Sequence, residues 1–276
     1  MTKKLAFCFL IYDTFNQVEV WNTFFENVDP VKYTIYIHYK IDIPIPYFNK
    51  YKLKNTIETK WADISLIKAQ NLLLQEGLKD PDNTNFIFLS NSCIPLKPFN
   101  IIYSSLSIDK SYFNLFSNQS IEYTLNQGTL VNYEQRNVLI NKYKYKAHQW
   151  CILNRKHATI MVNNEPLYID WFTEENVAPD EYCYIATIYY LKLDNEIITT
   201  NHSANNATTF TNWSNMNYRY SVNISPSYKI YNNYGLKNYD FISDEELEYL
   251  FNSRCFFGRK FTSNIILINR LRIRSM

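Results

Sequence analysis

Two short segments carry side chains suited to opposite halves of one reaction. Ala178-Pro179-Asp180-Glu181-Tyr182 places two carboxylates at what reads as the start of a helix. Far downstream, Phe257-Gly258-Arg259-Lys260-Phe261 sets two adjacent cations in an aromatic setting. A carboxylate can take the proton of a hydroxyl as it attacks, and cations can stabilise the charge gathering on a departing diphosphate. Each segment also has a plainer reading. Acids favour a helix N-terminus by under ~1 kcal/mol each, and Arg254 and Arg259 could equally be solvated charges.

The elements that must position these groups follow from the spacing of apolar residues. Lys4–Tyr12 is a mostly continuous apolar run, Tyr33–His38 is β-branched and aromatic, and Asn85–Ser90 is a third buried strand. Between them, Asn16–Glu26 and Asp63–Leu78 carry helical spacing. Short apolar strands alternating with helices predict an α/β fold, with a mostly parallel sheet and helices on both faces. Ligands of such sheets sit beyond the carboxyl ends of the strands. Ser90-Asn91-Ser92-Cys93 follows one such end and Tyr36–Asp42 another. Ser117–Lys146 reads as a long irregular loop, of a length that in a compact domain points to function. After it come a short strand at Gln149–Leu153 and a helix over Arg155–Val162. Pro179 suits a first helical turn, in a helix running to about Tyr190. Ser243-Asp244-Glu245-Glu246 looks like a capping box opening a helix toward Phe251. The tail Asn264–Arg274 reads as a last helix with a basic face at Arg270, Arg272 and Arg274; a sharper reading is peripheral contact with an anionic membrane surface.

Composition removes several classes. With 46% hydrophobic residues in 276, the chain can bury a large core as one unit. The net charge is only +2, so no basic field calls for nucleic acid. Only four glycines occur, in no dinucleotide-binding or P-loop pattern. Cys8, Cys93, Cys151, Cys183 and Cys255 are scattered and odd in number, which fits free thiols in a reducing compartment. His38, His148, His157 and His202 lack metal-ligand spacing. The one Asp-x-Asp, Asp80-Pro81-Asp82, reads as a turn. The basic-then-apolar start reads as a buried strand and not as a leader, and no segment is long enough to cross a membrane, so a cytoplasmic protein is expected.

Six segments then fall in a familiar order: Trp61-Ala62-Asp63-Ile64-Ser65, Phe88–Leu96, His148-Gln149-Trp150, Ala178-Pro179-Asp180-Glu181, Trp213-Ser214 and Phe257–Phe261. In this the chain resembles the core-2/I-branching β-1,6-N-acetylglucosaminyltransferase family, its plant-type relatives especially, from about Leu5 to Phe261. The resemblance implies a GT-A-type fold and an inverting glycosyltransferase. The donor would be a UDP-sugar, with N-acetylglucosamine the first guess and xylose the second, and the acceptor a glycan or glycoprotein. No metal or other cofactor is implied. Residues 1–116 would form the nucleotide-sugar half of one domain, and 117–276 the acceptor-binding and catalytic half. The missing anchor suggests a compact viral or microbial form.

Residue by residue, the resemblance makes Glu181 the base of a Pro-Asp-Glu motif, with Asp180 its neighbour on the acceptor side. Lys260 matches the Lys of a Phe-Ala-(Arg/Asn)-Lys-Phe motif in which Gly258 replaces Ala, and Arg259 lies beside it. A second phosphate cation falls by spacing on Lys237, where the family has Arg, with Lys229 a competitor. Trp213 matches an aromatic position near the acceptor sugar, or is an ordinary core Trp. Gln149 and Trp150 match a Gly-Ser-Gln-Trp stretch in which Ala147-His148 replaces Gly-Ser. Ile11, Tyr36, His38 and Ser90 stand near the donor nucleoside; where relatives carry Asp just after that His, this chain has Tyr39. A rival reading keeps the fold but only binds a carbohydrate or nucleotide sugar; a retaining transferase is a weaker one.

Overall fold

The computed structural model describes residues 3–115, 146–169, 178–201, 208–212 and 237–267. In chain order its elements are β1 (Lys4–Ile11), α1 (Val18–Phe25), β2 (Tyr33–Tyr39), α2 (Ser65–Leu78), β3 (Asn83–Ser90), β4 (Ile94–Pro95), α3 (Phe99–Ser105), β5 (Ser111–Leu115), β6 (Ile152–Asn154), α4 (Arg155–Asn163), α5 (Glu165–Ile169), α6 (Cys183–Tyr190), β7 (Ile197–Asn201), β8 (Thr209–Thr211), α7 (Asp244–Asn252) and β9 (Phe257–Arg259). The strands and helices of the first ninety residues stand where apolar spacing puts them, to within a few residues.

A six-stranded sheet in the order β2-β1-β3-β6-β5-β7 forms the centre. β1 pairs in parallel with β2 and β3, and β5 with β7. β6 alone runs against its neighbours β3 and β5, so the sheet is mixed and mostly parallel. Alternation along β1 divides the core. Ala6, Cys8 and Leu10 face α2, α4 and α6. Leu5, Phe7, Phe9 and Ile11 face α1 and α3. Helices therefore cover both faces, and the sheet takes strands from both halves of the chain.

A smaller sheet, β4-β9-β8, lies beside this core. Its apolar cluster joins Ile94, Leu96, Phe210 and Phe261 to Leu247 and Leu250 of α7. The Ser243 hydroxyl accepts the Glu246 N–H at 3.1 Å, which forms half of the expected capping box. The other half differs, because the Glu246 carboxylate turns to Lys237. At the chain's end, Asn264–Leu267 is turn and irregular backbone, not the first turn of a helix. Arg270, Arg272 and Arg274 lie outside the described residues, as does the Ser117–Lys146 loop apart from Lys146. No helix among the described residues is long and apolar enough to cross a membrane.

Candidate active site

The reversed direction of β6 builds the site. The carboxyl ends of β1, β2, β3, β5 and β7 share one edge of the sheet, and because β6 runs the other way, the residues that precede it start from that edge. The Phe88 N–H donates to the Cys151 carbonyl at 3.1 Å, which holds Gln149-Trp150-Cys151 beside the end of β3. Phe261, next to Lys260, is tied to the same edge. Its N–H donates to the Ser92 carbonyl at 2.9 Å, and its carbonyl accepts the Asn16 side-chain amide at 2.9 Å.

The acidic segment is a one-turn 3-10 helix, Pro179–Glu181, that precedes α6 and is separated from it by Tyr182. The expected single helix from Pro179 to Tyr190 is thus two pieces. Ala178 opens the turn in the left-handed region at φ 58, and its N–H donates to Ala62, itself at φ 56. Such non-glycine conformations cost energy and persist where surrounding structure fixes them. The Glu181 N–H returns to the Ala178 carbonyl at 2.9 Å, and the Glu181 carbonyl accepts the Ala147 N–H at 2.9 Å. The Glu181 side chain meets the Lys146 ammonium at 2.7 Å, in a pair only 12% and 20% exposed. Beside it, Asp180 Oδ1 is buried with no hydrogen-bond partner. Burial first, and then the Glu181 charge, push the Asp180 carboxyl up to about 7.

Opposite stand the cations. The Arg259 guanidinium lies 4.5 Å from the Trp150 ring centroid, and its Nε is buried without a hydrogen-bond partner. Burial lowers its pKa, and the charges of Asp180 and Glu181 act against that. Burial and then the Arg259 charge also lower the Lys260 pKa. Among the described residues no carboxylate pairs with either cation. Gly258 has a packing reason, since a Cβ there would lie 3.2 Å from Leu96 Cδ1 and 3.4 Å from Phe261 Cε2.

A family model described as "Core-2/I-Branching enzyme" matches residues 5–240. The chain belongs to that family. Glycosyltransferase BC10 of Oryza sativa subsp. japonica is 28% identical over 171 residues, covering 59% of this chain and 41% of that protein. The match therefore spans less than half the length of that relative. The apo structure of WbbM, a bifunctional glycosyltransferase, aligns with a TM-score of 0.44 at 8% identity, over 72% of this chain and 39% of that one.

In this member of the family, the structure gathers Glu181, Asp180, Gln149, Trp150, Arg259 and Lys260 at one edge, and it gives Lys237, Tyr36, His38, Ser90 and Ile11 other surroundings. The Lys237 ammonium is engaged by both oxygens of the buried Glu246, at 3.0 and 3.2 Å, and lies 4.5 Å from the Tyr239 ring. Its charge is therefore already met within the protein. Trp213 and Lys229 lie outside the described residues. Tyr36 does not reach the carboxyl edge: its hydroxyl accepts from Asn83 at the amino end of β3, and its ring packs on α2. His38 is buried, with Nε2 accepting the Ile57 N–H at 3.1 Å; burial holds it down at about 4, so it is a neutral core group. Ser90 is likewise buried and bonded to Ser92 and Cys93. Ile11 is buried, and the exposed side chain at this strand end is Tyr12, with the Lys40 ammonium 4.9 Å from its ring.

No sequence motif singles out Lys146, Tyr12 or Trp61 as a site group. Trp61 opens one of the motif segments, and its indole is 89% exposed and adjoins the Ala62 carbonyl that anchors the acidic turn. Strand alternation from buried Ile11 could have found Tyr12; nothing local marks Lys146. Among the described residues no group of three His, Cys, Asp or Glu side chains is arranged to hold a metal ion. Asp80 sits at the amino end of β3, paired with Lys4 at 2.7 Å and capping the Asp82 N–H, which is the expected turn.

Proposed function

We propose that this protein is a glycosyltransferase that moves a sugar from a UDP-sugar to a hydroxyl of a glycan or glycoprotein, with inversion and without a metal ion. Glu181 takes the proton of the acceptor hydroxyl as its oxygen bonds to the anomeric carbon. The bond from that carbon to the diphosphate breaks, and Lys260 and Arg259 stabilise the departing charge. One observation carries this reading: two half-buried cations lacking any carboxylate partner among the described residues stand at the same sheet edge as a carboxylate turn. Leaving such cations unpaired is unfavourable unless an anion arrives to meet them. The family match and the likeness to the plant glycosyltransferase BC10 support the same reaction class. UDP-N-acetylglucosamine is the first donor to try and UDP-xylose the second. The exposed indole of Trp61 offers the acceptor a flat apolar face. Five free, buried cysteines fit a cytosolic setting.

The test is donor consumption and UDP binding across a panel of nucleotide sugars, with EDTA throughout. Saturable use of one UDP-sugar is expected. Glu181→Gln should still fold and bind UDP while turnover falls on the order of 10²- to 10⁴-fold. A requirement for Mn²⁺ or Mg²⁺ would remove the assigned roles of Lys260 and Arg259. UDP binding without turnover by the unaltered protein would favour a binding protein on the same fold.

A further inference from the structure

We infer that Lys146 is a positioning residue that caps Glu181 in the resting enzyme, denies this base to water, and yields it only when an acceptor arrives. The inference rests on reading Glu181 as the base. Its geometry is a clamp of three contacts. The Lys146 ammonium lies 2.7 Å from Glu181 Oε2, the next residue's N–H, that of Ala147, donates to the Glu181 carbonyl at 2.9 Å, and the ammonium stands 5.6 Å from the ring centroid of Tyr182. Both charged side chains are mostly withdrawn from solvent, so the pair is weakly screened and separating it without compensation is unfavourable.

The Glu181 Oε2 lone pair that holds the ammonium is not open to accept a proton. A water molecule brings few contacts with which to displace that ammonium. A glycan acceptor brings many, and binding away from the reacting hydroxyl can drive such a rearrangement. The displaced ammonium has somewhere to go. Asp180 already feels the Lys146 charge, and its Oδ1 is buried with no hydrogen-bond partner. Moving from Glu181 to Asp180 would meet that orphaned oxygen and free the base in one step.

The reaction that the cap suppresses is donor hydrolysis. A water oxygen bonds to the anomeric carbon, the bond from that carbon to the diphosphate breaks with its electron pair leaving on UDP, and the water proton passes to Glu181 Oε2. Hydrolysis of UDP-N-acetylglucosamine and UDP-xylose without acceptor tests this directly. Lys146→Met should hydrolyse the donor about ten- to a hundredfold faster than the unaltered protein, within what a freed general base contributes. Lys146→Arg should remain near the unaltered rate, and Glu181→Gln added to Lys146→Met should abolish the gain. If Lys146→Met melts early, Lys146→Gln, polar but uncharged, carries the same comparison.

Unchanged or slower hydrolysis in a folded Lys146→Met overturns the cap, as does a gain that survives Glu181→Gln. UDP binding by calorimetry separates the two layers. Should UDP bind while neither the unaltered protein nor Lys146→Met hydrolyses either donor, the cap is wrong and the donor site stands. Should UDP not bind at all, the proposed function falls and the cap falls with it.

Discussion

The two sides of the sheet's carboxyl edge are built on opposite terms. Between the sheet and α1 lies a dry layer of aromatic rings. Phe9 meets Trp21 edge-on at 4.9 Å, Phe7 meets Phe25 at 5.0 Å and Phe24 meets Phe25 at 4.9 Å. Its buried indole N–H, that of Trp21, is satisfied, donating to the Cys93 carbonyl at 2.9 Å. At the acidic turn and the Arg259-Lys260 pair, polar atoms are buried and left unmet: Asp180 Oδ1, Gln149 Nε2, Arg259 Nε and, behind them on α2, Gln70 Oε1. Buried polar atoms are nearly always hydrogen-bonded, so a concentration of exceptions marks a place that folding alone does not explain. The aromatic layer holds the fold, and the rim holds the groups to which the proposed reaction is assigned.

Substitutions on either side should separate stability from turnover. The largest effect is expected from Trp21→Ala. It empties a fully buried indole site and should lower stability by about 3–5 kcal/mol, read as a denaturant midpoint, with donor turnover per folded molecule unchanged. Lys260→Ala should do the reverse. Donor turnover should fall about 10²- to 10³-fold, the usual loss when a transition-state stabiliser is removed, and melting temperature should hold or rise because a half-buried cation without a carboxylate partner among the described residues is gone. A large fall in melting temperature would mean that Lys260 belongs to the fold.

Smaller effects sharpen the contrast. Gly77 lies where α2 meets the sheet, and a Cβ there would come 2.8 Å from Phe86 Cε1 and 3.3 Å from the Tyr36 ring. Gly77→Ala should therefore lower stability by about 1–3 kcal/mol, despite its better helix propensity, with turnover retained. The smallest effect is a matter of pH. Asp180 is raised from 3.8 to about 7, so the folded state keeps a proton that the unfolded state releases, and stability is lost as pH rises from about 4 through 7. His38 is depressed from 6.5 to about 4, so its contribution is present above pH 6.5 and lost as pH falls toward 4; burial depresses His157 as well, and it acts in the same direction. The slopes oppose each other in the same window. Asp180→Asn should leave the histidine slope unopposed, giving a steeper rise of stability between pH 4 and 6.5 and a gain on the order of 1 kcal/mol at pH 7.5. An unchanged pH profile would show that Asp180 is better solvated than its surroundings imply.

Much of this architecture was legible in short patterns. The unbroken apolar runs of β1 and β3 announce strands buried on both faces, the 3.6-residue spacing of α1 and α2 announces helices, and Ser243 marks the start of α7. The weaker elements were not legible: α3, α5, β5, β7, β8 and β9 span three to seven residues each, too few for a period to show. Glu181 and Lys260 were found by resemblance to family motifs, since a carboxylate after Pro or a Lys after Arg is ordinary by itself.

What the sequence determined alone is what neighbours along the chain decide: strand or helix in the long periodic segments, the order of those segments, a helical start at Pro179, and thiols too scattered to pair. What only the tertiary structure decided is set by partners distant in sequence. The reversal of β6, which carries Trp150 to the site edge, depends on its pairing with the distant β3, Ile152 standing opposite Ile87 and Asn154 opposite Asn85. Lys237 meets Glu246 of α7 and Lys146 meets Glu181 from before β6, so one expected phosphate cation is already neutralised and an unremarked lysine rests on the candidate base. Charge acts through space and not along the chain, which is why residue type alone could nominate these groups but could not say which anion each would face.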